Sequence, residues 1–191
     1  LLRVAKSQLV GPFPAGTDPE AYDRLRRRVL WTMPSGLYLL GSRAGERRNL
    51  MTLNWATQLA FEPKLLGVSI EQAALTHALV HEGGHFTLSL LARDDRALVR
   101  KFVKPAEDDR AARTLNGIAY RDAPVSGAPV LAVAIAWLDC RVEREVDCGS
   151  HTLFVGEIAD AAFPAESAGA GSETAAPEVL RMEDTRMSYG G

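Results

Sequence analysis

The sequence predicts a mainly antiparallel β fold, a β-barrel with a few short helices. Three observations carry that expectation. Short apolar or alternating runs recur along most of the chain, Gly, Pro or Asp closes almost every one of them, and helical spacing is confined to three short segments. At 191 residues and 20.7 kDa the chain fits one domain, residues 1–191, that buries its own core.

The elements follow in order. Thr17 to Trp31 reads as a helix, with Thr17 or Asp18 as cap, Pro19 in the first turn, Glu20 near the N-terminus, and Tyr22, Leu25 and Val29 at helical spacing. Residues 1–30 form an N-terminal extension around it. Gly36 to Ser42 reads as a buried strand, and Arg43 to Arg48 as the polar turn into the next. From Asn49 to Thr76 the chain divides at Pro63 into two strand-like segments, the second running from Leu65 to Ile70 almost without a polar residue. A short helix follows Thr76 and stops at Gly83 and Gly84, and Phe86 to Leu91 is a strand. Asp94 is placed to cap a helix to Val103. Ala106 to Pro129 reads as a meandering connection with one short helix near Arg110 to Thr114. A long strand spans Leu131 to Val146, with Leu138, Cys140, Val142 and Val146 on one face. It turns at Asp147 to Ser150 into a returning strand from His151 to Asp160. Pro164 to Pro177 has the composition of a flexible loop, and Val179 to Tyr189 that of a closing strand.

Composition excludes several classes of function. A net charge of −2 gives no reason to expect nucleic acid. The basic face of the first helix, Arg24 and Arg26 to Arg28, has no interleaved aromatics for base stacking and reads as a solvated or subunit-facing surface. No apolar run approaches the roughly 20 residues that span a bilayer, so no membrane is expected. Cys140 and Cys148, in a chain showing no secretory leader, are expected as free thiols in a reducing, cytoplasmic setting. Neither a Gly-x-Gly-x-x-Gly after a strand nor a nucleophile triad is present.

Two motifs bear chemistry. His81-Glu82-Gly83-Gly84-His85 matches the H-E-x-x-H zinc signature, which needs both histidines on one face of a continuous helix. Two adjacent glycines would cost that helix about 2 kcal/mol, so the string reads as a helix-to-strand turn and no metal is expected. Ser69, Thr76 and the backbone between them follow a strand into a helix start, where hydroxyls and N–H groups hold anions. That arrangement suits a phosphate-bearing ligand. His151 stands beside Gly149 and Ser150 at a hairpin mouth.

On these residues the chain resembles the flavin reductase-like family of split-barrel flavoproteins. Asn49-Leu50-Met51-Thr52 is similar to the family's N-x-M-T, Val68-Ser69-Ile70 with Thr76-His77 to its V-S-I…T-H, and GSHTLFVGEI from Gly149 to its G-D-H-T-L-F-V-G-E-V. The resemblance implies an FMN-binding split barrel, with FAD as the alternative flavin and NADH or NADPH as hydride donor. It places Asn49, Leu50, Met51, Thr52, Leu53, Asn54 and Trp55 at the isoalloxazine edge, and Ser69, Ile70, Ala74 and Thr76 at the ribityl-phosphate end. It puts His151 beside the flavin and nicotinamide rings, in a positioning role. Ser150 departs from the pattern, since an acidic residue is usual there, and Trp55 replaces a smaller polar residue. The family also implies a homodimer that passes reduced flavin to a separate monooxygenase. A flavin-binding electron carrier that does not use nicotinamide is the second reading.

Overall fold

A computed structural model describes residues 9–164 and 178–187. The first helix, α1 (Pro19–Trp31), starts where Asp18 accepts a hydrogen bond from the Ala21 N–H at 2.9 Å. Strands β1 (Tyr38–Ala44), β2 (Arg47–Leu53), β3 (Ala56–Ala60) and β4 (Leu65–Glu71) precede helix α2 (Leu75–Gly83) and strand β5 (His85–Leu90). Two 3-10 turns, Arg93–Asp95 and Leu98–Phe102, lead to four short strands: β6 (Asp108–Asp109), β7 (Thr114–Leu115), β8 (Ile118–Asp122) and β9 (Pro129–Leu131). The long hairpin β10 (Ala136–Asp147) and β11 (His151–Ala162) follows, and a 3-10 turn at Met182–Asp184 lies near the C-terminus.

Seven strands form one antiparallel sheet in the order β2-β1-β5-β10-β11-β4-β3. The sheet rolls up, because Leu53 of the edge strand β2 shares a buried cluster with Leu66, Val68 and Ile70 of β4, from the far side of the sheet. Val80 of α2 joins that cluster and covers the barrel from one end. A second cluster lies outside the sheet, where Leu37, Leu39 and Leu50 pack against Val99, Phe102, Leu115, Tyr120 and Leu180. Alternation along β2 divides the two: Leu50 and Thr52 face outward, Met51 and Leu53 inward.

Several expected elements differ. The segment before Pro63 is two strands, because the chain breaks at Asn54 and Trp55 between β2 and β3. Asp94 caps no α-helix: residues 93–102 make two 3-10 turns, and the buried pair is Val99 and Phe102, at the i,i+3 spacing of that geometry. The connection from 106 to 129 holds no helix but a four-stranded sheet, β6 to β9. Bulges at Asp139/Cys140 and Val142/Arg144 break the alternation of β10, so Val146 is exposed. In place of a closing strand, Val179 and Arg181 make isolated bridges to Ala92 and Gly36. The loop expected from Pro164 falls almost wholly outside the described residues.

Candidate functional site

The candidate site lies on the outer face of β4 and β11. Thr152 pairs with Ile70 and Leu153 with Ser69, so Thr152 and Ile70 point into the barrel while Ser69, His151 and Glu71 share the outer face. After β2 the chain comes alongside β4, where the Trp55 carbonyl accepts from the Ser69 N–H at 3.0 Å and extends the β3–β4 pairing. The Trp55 indole tilts over His151, ring centroids 4.9 Å apart and planes at 56°. Trp55 thus stands beside both Ser69, through its backbone, and His151, through its ring.

His151 is held from one side only. Its Nδ1 lies 2.8 Å from Ser150 Oγ, so the hydroxyl standing where an acidic residue is usual still engages the ring. Its Nε2 is buried with no hydrogen-bond partner. The turn's carboxylate comes three residues earlier: Asp147 Oδ1 accepts from Gly149 N–H at 2.8 Å and from Gln72 Nε2 at 3.1 Å. The Gln72 N–H donates to Ser150 O, tying the β10–β11 turn to the start of α2.

Helix α2 ends the site. Ala74 is its N-cap and supplies no side-chain cap, which leaves first-turn N–H groups without a side-chain acceptor. Thr76 is 1% exposed, and its hydroxyl accepts from Asn49 Nδ2 at 2.8 Å. The hydroxyl expected at the ribityl-phosphate end is thus buried and engaged by Asn49. Asn49 Oδ1 in turn accepts from the Ala106 N–H at 2.8 Å. Leu50, Leu53 and Ile70 are core residues, Met51 and Ala74 pack against the barrel cluster, and the Thr52 hydroxyl donates to Val99 O. Of the stretch 49–55, Trp55 is exposed beside His151, while Asn54 is buried.

His77, which the sequence presents as half of the Thr76-His77 pair, has its Nε2 2.8 Å from the hydroxyl of Thr152. Burial pushes its imidazole below the ordinary histidine range; Glu145 pulls it back up and His81 adds to the lowering. Helical spacing from the cap would have flagged it, since His77 falls in the first turn of α2. The H-E-x-x-H string is not a metal centre. Gly84 takes φ +68° as a left-handed cap, a side chain at Gly83 would collide with the Arg43 carbonyl, and His85 already belongs to β5. Among the described residues no cluster of His, Cys, Asp and Glu could hold a metal, and no helix is long and apolar enough to cross a membrane.

Comparison with known proteins gives a consistent picture. The profile of the flavin reductase like domain matches residues 30–179. A high molecular weight rubredoxin of Moorella thermoacetica is 32% identical over 71% of this chain and 58% of its own length. The reductase component of a 4-nitrophenol 4-monooxygenase/4-nitrocatechol 2-monooxygenase of Rhodococcus opacus is 31% identical over 58% of this chain and 56% of its own length. The chain thus spans less than two thirds of these relatives. Among solved structures, the NADH:FAD oxidoreductase SgcE6 of Streptomyces globisporus C-1027, in complex with NAD and FAD fragments, superposes with a TM-score of 0.65 at 27% identity, covering 78% of this chain and 86% of that one.

Proposed function

We propose, from the premise that this chain belongs to the flavin reductase like family, that it oxidises NADH or NADPH and reduces flavin, which it supplies to a separate monooxygenase. The observation that carries the reading is the placing of the Trp55 ring against His151 beside Ser69, with the uncapped start of α2 four residues beyond the end of β4. These residues fit a flavin. The Trp55 and His151 rings offer apolar surface for a flat ring system, the orphaned Nε2 of His151 offers one polar contact, and the first-turn N–H groups suit a phosphate. FMN, with FAD as alternative, would accept the hydride at its ring system, chemistry that belongs to the cofactor.

The chain's own work is positioning. Asn54 and Trp55 would border the rings, Ser69 and the N–H groups at Leu75 and Thr76 would hold the ribityl-phosphate end, and His151 would fix the stacked rings without being an obligatory acid or base. The other predicted contacts, Asn49 to Leu53, Ile70 and Ala74, support the site from the core. The unit is one domain, with residues 1–30 as an extension of it. A second copy completes it as a homodimer, because α1 buries none of its residues and leaves Leu25, Val29 and Leu30 exposed. The free thiols Cys140 and Cys148 fit a reducing cytoplasm.

NADH and NADPH oxidation, measured without air and with FMN or FAD added, tests the reading. Flavin-dependent oxidation is the expected outcome. The relative named a rubredoxin favours one alternative, an electron carrier. Tightly bound flavin that neither coenzyme reduces would establish that alternative instead.

A further inference from the structure

Away from the site, the two 3-10 turns at residues 93–102 and the segment around Met182–Asp184 enclose an open groove of about 680 Å³. Its lining holds Arg93, Arg96, Arg100 and Arg186 against Glu183 and Asp184, four positive charges to two negative, on a chain whose net charge is −2. The carboxylates are already engaged. Arg93 pairs with Glu178 and Asp184, each at 2.6 Å, and Arg181 with Glu183 at 3.4 Å. Arg96, Arg100 and Arg186 have no carboxylate partner among the described residues, and all three are exposed. Three unpaired guanidinium groups arrive from two separate segments at one concavity, whose size is within the ordinary range for small-molecule sites.

The groove adjoins the proposed flavin site. Val99, beside Arg100, accepts the Thr52 hydroxyl at 2.5 Å, and Thr52 stands three residues before Trp55. Three extended residues span at most about 11 Å. A coenzyme with its nicotinamide near Trp55 and His151 can therefore reach the arginines with its far end. A phosphomonoester suits them best: it carries about −1.5 to −2 charge on three acceptor oxygens, whereas each phosphate of a diester linkage carries one charge. Arginine forks match such oxygens in pairs.

We propose that this groove binds the phosphorylated adenosine end of the nicotinamide coenzyme and selects NADPH by its 2′-phosphate. The inference rests on the reductase function proposed above. The test is calorimetric titration of the whole chain with 2′,5′-ADP and with ADP-ribose, which has no phosphomonoester, beside initial rates with NADPH and NADH, for the wild type and for Arg96→Ala/Arg100→Ala. Both side chains are exposed and unpaired, so the double variant keeps its fold. Wild type is expected to bind 2′,5′-ADP about tenfold or more tightly than ADP-ribose. The variant should lose about tenfold per arginine for 2′,5′-ADP and in KM for NADPH, with NADH unchanged. Equal binding of the two nucleotides, or 2′,5′-ADP binding untouched by the variant, overturns the proposal while leaving reductase activity with NADH intact. Arginine-dependent 2′,5′-ADP binding without turnover of either coenzyme instead overturns the reductase reading and, with it, the coenzyme assignment; the groove then stands as a nucleotide site.

Discussion

His151 enters its role with one ring nitrogen engaged by Ser150, the other buried and unpaired, and an indole across its face. A ring held in this way suits the positioning role proposed for it. Replacing His151 by Asn keeps a donor that does not titrate near neutrality, and the variant should retain much of the single-turnover flavin reduction rate. Ala should lose more, since a misplacement of about 1 Å can cost on the order of 100-fold. Rates of both variants between about pH 6 and 8 check this; a shared severe loss, with a wild-type ionisation absent from both, would make His151 an acid–base group. The hairpin position of this histidine was legible in the sequence. The Trp55 contact was not, because it joins residues nearly a hundred positions apart through a chain break that no periodicity marks. The thiols give a second test at this scale. Burial and then the Asp139 charge push the Cys140 thiol up to about 12, and Cys148 is exposed. One thiol should react with an aromatic disulfide reagent in the folded protein and two after denaturation, with no increase on prior reduction.

Helix α2 is the element on which the site depends, and the inward turn of Thr76 changes what its mutation should do. Thr76→Val would leave Asn49 Nδ2 unsatisfied in the core and cost about 1–3 kcal/mol of stability. FMN and riboflavin affinity should then fall together, as paired titrations would show; a loss confined to FMN would return the hydroxyl to the phosphate. His77 sets a pH dependence in the same helix. Its folded-state proton affinity is lowered, so the unfolded chain, titrating near 6.5, binds more protons in the window below that value. Stability therefore rises with pH through this window and is lost as pH falls below about 6.5. Thermal melts from about pH 7.5 to 5.5 should drop less for His77→Gln than for the wild type. The start and stop of α2 were readable from Thr76 and the paired glycines, but the 93–102 segment misled. Its Leu98 and Phe102 obey the α-helical i,i+4 rule, yet Val103 is 57% exposed, and packing chose Val99 and Phe102.

At the scale of the whole molecule, β1, β4, β5 and the β10–β11 hairpin were legible because each carries an apolar run, whereas β3, with no buried residue, was not separated from β2. The β6 to β9 sheet was not legible, since its strands of two to five residues are too short for a periodic signal. The exposed apolar side of α1 leads to the remaining prediction: light scattering at micromolar concentration should give a dimer, and Leu25→Asp/Val29→Asp should shift it toward monomer without unfolding the barrel. Asn49 has a wider consequence. From β2 its one amide group holds the first turn of α2 through Thr76 and the approach to the small sheet through Ala106. Three segments distant in sequence thus share a single fastener. In native-state hydrogen exchange they should open as one cooperative unit, with the Ala106 N–H and the first amides of α2 that are bonded within the helix losing protection at the same free energy, while the β10–β11 tip exchanges sooner.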